Sequence, residues 1–283
     1  MTTAQIPIAA ATTVGAVSLT VASLSQAVDF YTSRLGLHVL KQQGETVHLG
    51  VGPEELLVLH GNLGARRVPR TAGLYHFALL VPTRRALGAA LKHLIDSGVP
   101  LQGAADHLVS EAIYLADPEG NGIEIYRDRD RAEWKLLGEE IQMATDPLDA
   151  QGVLAAAIGA PTDHGLPEGT RMGHVHLHVG DIAEAEAFYN GLLGFDITLR
   201  YGRSATFLSA GGYHHHIAVN TWAGVGAKPN PEGAMGLREF TVVVPDAAEL
   251  RRIAAITSPV EDNGGDILLR DPSGNALRIK AGA

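Results

Sequence analysis

The feature that most constrains this chain is a repeated pattern of strand, short turn, amphipathic helix, glycine and strand. Two long copies begin at Val17, as VSLTVASLSQAVDFYTSRLGLHVL, and at Val175, as VHLHVGDIAEAEAFYNGLLGFDITL. In both copies apolar residues recur at helical spacing, and a Leu-Gly pair stands where the helix is expected to end. Two long segments with the same order of elements indicate an internal repeat.

Two weaker copies begin at Leu74 and Leu237, and each ends in a DP-x-GN turn that is followed by a strand. The sequence therefore predicts an α+β fold of four βαβββ repeats, which we call repeats one to four. Their predicted bounds are 14–62, 73–127, 172–222 and 236–281. The chain then divides into an N-terminal half, 1–127, a connector, 128–171, and a C-terminal half, 172–283.

Charge and hydropathy exclude several classes of partner. The 283 residues carry a formal net charge of −9, whereas nucleic acid or an anionic membrane would need a basic face. No apolar run approaches the roughly 18 residues of a membrane span. The first residues lack the basic start and the long apolar core of a signal peptide. We therefore expect a cytoplasmic protein that binds neither membrane nor nucleic acid, with edge strands that permit a homodimer.

Cysteine is absent, so any metal ion must be held by His, Asp or Glu. The clustered histidines fall in two predicted strands: His174, His176 and His178 in GHVHLHV, and His214, His215 and His216 in YHHHIAV. In the first strand all three face one side. In the second, His214 and His216 are predicted to face one side and His215 the other. Buried imidazoles each need a hydrogen-bond partner, so such clusters favour a polar or metal site.

Residues 107–124 carry the most informative local pattern. His107 is followed after five residues by Ile-Tyr, ending at Tyr114, and then after two residues by DPEGNGIE, ending at Glu124. The segment predicts a strand, a Pro/Gly turn and a second strand. Glu124 alternates with two isoleucines, so it is expected to face away from the packed side, where a carboxylate needs a partner such as a metal ion.

This segment resembles the signature of extradiol ring-cleaving dioxygenases, in which the terminal Glu is an iron ligand. One flank departs, because Ala105 stands where the signature prefers Gly, Asn, Thr or a branched aliphatic residue. With its four repeats, nearly the whole chain resembles the vicinal oxygen chelate superfamily of glyoxalases, bleomycin resistance proteins and extradiol dioxygenases of the catechol 2,3-dioxygenase type. The resemblance implies that paired repeats form two open mixed-sheet barrels, and that metal ligands come from the first and last strands of each repeat.

The ligand positions of that family can be read off repeat by repeat. The first-strand position holds Ala16, His76, His174 and Glu239 in repeats one to four. The last-strand position holds an aliphatic residue near Leu57, then Glu124, His216 and Arg278. If repeats two and three share a barrel, His76, Glu124 and His174 form a two-His-one-carboxylate set, which suits non-haem Fe(II) and also accepts Mn(II). Pairing repeat one with two and three with four would instead split the ligands between two incomplete sites.

The resemblance also implies roles for further residues. His216 matches the place of an acid–base catalyst, with His214 and His215 as neighbouring alternatives. Tyr114 matches a tyrosine that hydrogen-bonds a substrate oxygen, and His107 matches a donor to substrate or dioxygen. His176 and His178, with His214 and His215, are expected to line the substrate pocket or to support the ligands.

The implied function is an Fe(II)-dependent oxidoreductase that uses O2 to open a catechol-type aromatic ring beside its two hydroxyls. Two other classes stay open at this point. A glyoxalase-like isomerase or lyase uses the same cup, commonly with two carboxylates and a metal that is not redox-active. A non-enzymatic small-molecule binding protein of the superfamily generally lacks the metal ligands and binds in an aromatic groove, whereas this chain is 5% aromatic.

Overall fold

The computed structural model describes residues 6–138, 140–160 and 165–282, which divide into two compact units. The N-terminal unit consists of Ser18–Arg66 and His76–Gly173. The C-terminal unit consists of Arg67–Tyr75, His174–Ala283 and the segment that ends at Val17. Among the described helices, none combines the length and the apolar character that crossing a bilayer requires.

Repeat one has the predicted order of elements: β1 (Thr13–Val21), α1 (Leu24–Ser33), β2 (His38–Gln43), β3 (Thr46–Val51) and β4 (Glu54–Gly61). Strands β2, β3 and β4 form an antiparallel meander in which Leu49 lies opposite Leu57. Both leucines are fully buried, and Tyr31 of α1 is also fully buried. Half-buried and buried residues alternate along the first half of β3, as the pleat of a strand predicts, and the last three residues of β3 are all buried.

Repeat two consists of β5 (Gly73–Leu80), α2 (Arg84–Asp96), β6 (Leu101–Asp106), β7 (Ser110–Ala116) and β8 (Gly122–Asp128). The helix begins at a Thr83 cap, whose hydroxyl accepts the Ala86 N–H at 3.1 Å. Strand β5 runs parallel to β8, which runs antiparallel to β7, which in turn pairs with β6. Because β5 and β8 are parallel, the chain between them must cross over, as the βαβ order requires.

The connector contains a 3₁₀ turn (Arg131–Glu133), short strands β9 (Leu136–Leu137), β10 (Glu140–Ile141) and β11 (Asp146–Pro147), and helix α3 (Ala150–Ala156). Strand β11 pairs with β6, so the connector extends the sheet of repeat two. Helix α3 packs on α2 at Gly88, where a Cβ would stand 2.1 Å from the Val153 carbonyl oxygen. Only glycine permits this close approach.

Repeat three consists of β12 (Arg171–His178), α4 (Ile182–Glu186), β13 (Asp196–Tyr201), β14 (Ala205–Ser209) and β15 (Ile217–Asn220). Helix α4 continues as a π-helical turn over Ala187–Leu192, which the sequence pattern did not predict. The segment ends before Gly194, whose φ of +89° is the left-handed conformation expected of the predicted terminal glycine. Strand β12 is parallel to β15, and β13–β14–β15 are antiparallel.

Repeat four consists of β16 (Gly236–Val244), α5 (Ala247–Ile256), β17 (Glu261–Asp262), β18 (Asp266–Arg270) and β19 (Ala276–Ala281). Strand β16 is parallel to β19, and β17–β18–β19 are antiparallel. All four predicted βαβββ repeats are therefore present in the described structure.

The two DP-x-GN turns fasten neighbouring repeats to each other. The Tyr31 hydroxyl in repeat one donates to Asp117 Oδ2 in repeat two at 2.9 Å, and the Tyr189 hydroxyl in repeat three donates to Asp271 Oδ2 in repeat four at 3.1 Å. Both tyrosines are fully buried, so each hydroxyl needs the acceptor that it finds. Burial and the adjacent carboxylate raise the pKa of both tyrosines well above its ordinary value.

Each aspartate also holds its own turn together. Asp117 Oδ1 accepts the backbone N–H groups of Glu119 and Asn121 at 2.9 and 2.8 Å, and Asp271 does the same for Ser273 and Asn275 at the same two distances. The motif that the sequence marked as a turn is thus an aspartate-capped turn with a buried link to a helix.

Candidate metal centre

His76 and Glu124 meet on one face of repeat two. In the parallel register of β5 and β8, Ala78 lies opposite Glu124, and His76 lies two residues earlier on the same face. His76 Nε2 is 3.1 Å from Glu124 Oε2, and the two residues are 7% and 3% exposed. The isoleucines on either side of Glu124 point into the opposite, packed face. The face of Glu124 nevertheless carries a buried apolar cluster that includes Ala78 and Tyr126, so the prediction that Glu124 faces away from the packed side is wrong.

His174 lies on β12 and is 1% exposed. One ligand atom from each of His76, Glu124 and His174 lies within 4.8 Å of the others, so these three buried residues could hold one metal ion. Repeats two and three supply all three residues. Two imidazole nitrogens and a carboxylate oxygen form a donor set that suits a divalent transition metal, and this fit does not depend on any thiolate.

Tyr114 and His107 form a hydrogen-bonded pair beside this cluster. Tyr114 lies opposite Glu124 on the neighbouring strand β7, and its ring centroid is 5.8 Å from that of His76. His107 Nε2 is 2.5 Å from the Tyr114 hydroxyl, and its Nδ1 is 2.6 Å from the carbonyl oxygen of Ala144 in the connector. A carbonyl only accepts, so Nδ1 carries a proton, and in the neutral ring Nε2 accepts the proton of the Tyr114 hydroxyl. Both ring nitrogens of His107 are thus engaged by the protein.

An ion-pair network holds the strand that carries Tyr114. Glu111 on β7 is 1% exposed and binds the guanidinium groups of Arg84 and Arg127, with shortest distances of 2.9 and 2.6 Å. Burial alone would raise the pKa of Glu111, but the hydrogen bonds from the two arginines outweigh it and lower the pKa below its usual value. Glu111 therefore stays ionised at neutral pH and ties β7 to α2 and β8.

The prediction that YHHHIAV is one strand is wrong for its first half. Strand β15 begins at Ile217, and the three histidines lie in the turn before it. The Nδ1 atoms of His214 and His215 are 2.8 Å apart, so these side chains do not lie on opposite faces of a strand. The run begins just after a turn at Gly211 and Gly212. Their φ angles of +61° and +67° are in the left-handed region, and the chain changes direction there after the preceding strand. Local alternation could not reveal that this turn extends through His216.

Two of these imidazoles, His214 and His215, nevertheless lie beside the candidate ligand His174. The ring centroid of His215 is 4.0 Å from that of His174, and the centroid of His214 is 6.2 Å away. His216 Nδ1 accepts the backbone N–H of Ala210 at 3.2 Å, which leaves the proton of the neutral ring on Nε2. All three residues are less than 9% exposed.

The predicted last-strand ligand position of repeat three is also wrong. His76 and His174 hold the same position in the first strands of their repeats. Glu124 lies opposite the residue two positions after His76, so its counterpart in repeat three should lie opposite the residue two positions after His174. In β12 and β15 that pair is His176 and Ala218. Repeat three therefore offers an alanine at this position, and His216 lies two residues before it.

Repeats one and four do not supply this donor set. In repeat one the corresponding region is apolar, with Ala16 and Leu57 both buried. In repeat four Arg278 lies opposite Thr241, two residues beyond Glu239, so it holds the position of Glu124. Its guanidinium binds Glu239 at 2.8 and 3.0 Å and Asp266 at 2.6 Å. The predicted carboxylate of repeat four is therefore neutralised by the cation beside it.

Three aromatic residues near the site were missed by the sequence analysis. The rings of Tyr75, Phe207 and Trp222 lie 5.0, 5.8 and 5.2 Å from that of His176. They come from different elements, and nothing in their local sequence marks them. The position of Tyr75 next to His76 was the one available signal.

Comparison with known proteins decides the family. The sequence model described as the Glyoxalase/Bleomycin resistance protein/Dioxygenase superfamily matches residues 13–125 and 171–279, which cover all four repeats. The chain belongs to this superfamily. Catechol-2,3-dioxygenase from Bacillus subtilis (strain 168) is 44% identical to this chain over 274 residues, which are 94% of this chain and 95% of that protein.

Two solved structures are similar in fold to this chain. A crystal structure from Bacillus subtilis subsp. subtilis str. 168, provisionally described as a dioxygenase, matches with a TM-score of 0.63 at 17% identity, covering 98% of this chain and 86% of that one. Glyoxalase I from Zea mays matches with a TM-score of 0.56 at 16% identity, covering 96% and 92%. At such identities the match shows the fold alone, and it confirms the predicted vicinal oxygen chelate architecture.

Proposed function

We propose that this protein is an Fe(II)-dependent extradiol dioxygenase that opens a catechol-type aromatic ring with O2. The observation that carries the proposal is the approach of His76, Glu124 and His174 to within 4.8 Å of one another, all buried. The 44% identity to a catechol-2,3-dioxygenase over nearly the whole of both chains supports an oxidoreductase of this type. The partners are then a small aromatic diol and dioxygen.

The donor set favours iron among the divalent metals. Two imidazoles and one carboxylate are typical of non-haem Fe(II) oxygenases, and they leave coordination positions for other ligands. Manganese accepts the same donors, so the two metals must be compared directly. When bound, such an ion would hold the neighbouring oxygens of the diol, lower their pKa and pass electron density toward dioxygen.

Tyr114 and His107 would act together on a diol oxygen. Because the Tyr114 hydroxyl donates its proton to His107, the phenol oxygen can accept a hydrogen bond from a substrate hydroxyl. The carbonyl of Ala144 holds His107 in the tautomer that makes this possible. In this proposal Tyr114 contacts the substrate, and His107, predicted to donate to it directly, positions Tyr114.

One imidazole of the turn before β15 would carry a proton to and from the substrate. His216 was predicted for this role from its place in the sequence. His215 has its ring nearer to that of His174 than His214 has, so it is the alternative that the geometry supports. Single His215→Ala and His216→Ala variants, loaded with equal iron, should separate the two, since loss of the proton carrier typically costs 10²–10⁴-fold in rate.

The glyoxalase-like alternative has less support. Enzymes of that class commonly use two carboxylates, and repeat three has Ala218 where a second one would be expected. The binding-protein alternative is disfavoured because the buried three-residue cluster is retained.

Anaerobic loading with Fe(II) or Mn(II), followed by catechol and air, tests the proposed function. We expect a yellow ring-fission product and O2 consumption in a ratio of one to one. Glu124→Gln should abolish both, whereas Glu239→Gln, the matched change in repeat four, should not. Turnover of a thiol adduct of an α-keto aldehyde, with no reaction of catechol, would instead support the glyoxalase-like class.

A further inference from the structure

We propose that Glu249 in repeat four positions the turn that carries the three clustered histidines, and that it acts through the N-terminal segment of the chain. We call residues 6–12 the N-terminal arm and residues 210–216 the histidine turn. The part of these histidines in proton transfer rests on the proposed function. The contacts that link Glu249 to them lie within the C-terminal unit and do not depend on that function.

A hydrogen bond ties the N-terminal arm to repeat four. The Ala9 N–H donates to Glu249 Oε1 at 2.9 Å, although the two residues are 240 positions apart. Glu249 lies in the first turn of α5 and also binds the Arg252 guanidinium at 2.7 Å. The hydrogen bond from Arg252 lowers the pKa of Glu249, and burial opposes this only in part, so Glu249 is ionised at neutral pH. A charged acceptor makes the stronger kind of hydrogen bond to a backbone N–H.

The backbone of the N-terminal arm lies directly against the histidine turn. The Ala9 carbonyl accepts the Thr12 N–H at 2.9 Å, so the arm itself ends in a turn. The carbonyl oxygen of Ala10, within that turn, lies so close to Gly211 that a Cβ on Gly211 would overlap it. Because the arm and the histidine turn meet backbone to backbone, a displacement of Ala9 moves the carbonyl that rests on Gly211.

Ala210, the neighbour of Gly211, connects this contact to the imidazoles. Its N–H donates to His216 Nδ1 at 3.2 Å, and its carbonyl accepts the Tyr213 N–H at 3.3 Å. The Tyr213 ring lies 4.0 Å from the ring of His214 and 4.9 Å from that of His216. A displacement of Gly211 therefore reaches the imidazoles through the adjacent peptide and through the Tyr213 ring.

The N-terminal unit contains a second arm of the same kind at residues 165–170, which we call the connector arm. It precedes β12 as the N-terminal arm precedes β1. The Thr170 N–H donates to the Pro167 carbonyl at 3.1 Å, which is the same bond that closes the N-terminal arm. Each arm also packs on a glycine that ends a helix, since a Cβ on Gly36 would overlap the connector arm and one on Gly194 would overlap the N-terminal arm. The two arms thus serve the fold in the same way.

The connector arm cannot make the hydrogen bond to a helix carboxylate. Pro167, which has no N–H, stands where the N-terminal arm has Ala9, and Ala86 of α2 stands where α5 has Glu249. A Cβ on Gly52, in the two-residue Gly-Pro turn between β3 and β4, would stand 3.8 Å from a side chain of the connector arm. The fold therefore does not require the bond, which occurs where the neighbouring turn carries histidines and not where that turn is Gly-Pro.

Two variants remove the bond from opposite sides. Glu249→Ala removes the acceptor, and Ala9→Pro removes the donor at a place where the connector arm already has a proline. In the iron-loaded protein each should lower kcat for catechol about 10-fold, less than the roughly 10²–10⁴-fold loss of a missing proton carrier, because the histidines are present but displaced. KM and bound iron should not change, since neither variant alters a candidate ligand.

Two further variants separate positioning from a purely structural role. Glu249→Gln keeps an oxygen acceptor for Ala9 but loses the ion pair with Arg252, as Glu249→Ala does, so recovery of most of kcat would assign the effect to the hydrogen bond. Ala9→Pro combined with Glu249→Ala should lose no more kcat than either change alone, because both break the same bond. Losses that multiply would show that Glu249 does not act through Ala9.

A spectrum of the metal-free protein separates positioning from the reaction. In protein labelled with ¹⁵N in its imidazoles, the His216 Nδ1 signal is the one that His216→Gln removes. It should shift in Glu249→Ala and in Ala9→Pro and return in Glu249→Gln, whereas the signals of His38 on β2 should stay in place. These shifts in a protein that does not cleave catechol would refute the proposed function and keep the positioning role.

Three outcomes would contradict the positioning role and keep the proposed function. One is cleavage of catechol with an unchanged kcat in both single variants, even where thermal stability falls. Another is a His216 signal that stays in place in both. The third is a loss of kcat that follows a loss of bound iron or a rise in KM, which would mean that the bond supports the ligands or substrate binding instead of the histidine turn.

Discussion

Repeats two and four have the same order of backbone elements, but they carry different charged residues in the last strand. Both end in a DP-x-GN turn whose aspartate binds a buried tyrosine of the preceding repeat, at 2.9 and 3.1 Å. Both then place a charged residue at the same point of the last strand, opposite Ala78 in one and Thr241 in the other. In repeat two that residue is Glu124, and in repeat four it is Arg278.

This single position determines which donor atoms each repeat offers. Glu124 faces His76 at 3.1 Å, and both offer atoms that a metal ion accepts. The guanidinium of Arg278 donates hydrogen bonds to Glu239 and Asp266, both in repeat four. The elements that build the fold are therefore separate from those that carry the chemistry, and a repeat can keep the first without the second.

The largest expected effect is on metal binding and turnover. His76→Ala and Glu124→Ala should each lower iron affinity and ring cleavage by more than about 100-fold, because even groups that merely orient a metal ligand cost 10–100-fold. Glu239→Ala in repeat four should leave bound iron unchanged. Iron content after desalting and oxygen consumption measure both. Loss of iron in Glu239→Ala with retention in His76→Ala would reverse the assignment of the two repeats.

The shared turns predict the next effect, which is on stability. Tyr31→Phe and Tyr189→Phe each remove a buried hydrogen bond to an aspartate, and each should lower the free energy of unfolding by about 1–3 kcal/mol. Urea denaturation should give similar losses for the two variants. A large loss for one and none for the other would show that the two turns do not serve the same purpose.

Removal of the cation in repeat four should have a smaller effect. Arg278 is partly exposed, and its ion pairs are screened by water, so Arg278→Ala should cost about 1 kcal/mol or less. Iron binding should not change, since the guanidinium of Arg278 binds Glu239 and Asp266, neither of which is a candidate ligand. Thermal unfolding with and without Fe(II) gives both values, and an iron-dependent difference between wild type and variant would contradict this separation.

The smallest expected effect is a pH dependence from the turn of repeat four. Burial raises the pKa of Asp271, although hydrogen bonds from Asn275, Tyr189 and Ser273 counter it in part. A carboxyl whose pKa is higher in the folded than in the unfolded chain contributes stability that is fully present below the ordinary value of about 3.9 and is lost as pH rises through the folded pKa.

Asp271→Asn should remove that dependence. The difference in unfolding free energy between wild type and variant should therefore shift against the wild type as the pH is raised from about 4 and then level off. Denaturation between pH 4 and 7 measures it, with Asp262→Asn on the exposed strand β17 as the control. A shift of the opposite sign would mean that hydrogen bonding, rather than burial, governs Asp271.

Much of the fold was predictable because its signals are local. Amphipathic helices, terminal glycines and the DP-x-GN turns are written within about ten residues each, and all four repeats follow from them. The candidate ligands His76, Glu124 and His174 were named from the resemblance to the superfamily, whose ligand positions can be located in each repeat, and they stay a prediction.

The rest depends on contacts between distant segments. The turn through His214–His216 interrupts a run that looks continuous, and the parallel register that replaces His216 with Ala218 exists only once β12 and β15 pair. The bond from His107 to Ala144 spans 37 residues and reaches into the connector, where no motif announces it. Links of this kind also join Tyr31 to Asp117, 86 residues apart.

The most direct test is a crystal grown anaerobically with Fe(II), with diffraction recorded on both sides of the iron absorption edge. We predict one anomalous peak, contacted by His76, His174 and Glu124. A peak bound by other residues, or by Glu239 in repeat four, would contradict this account of the site.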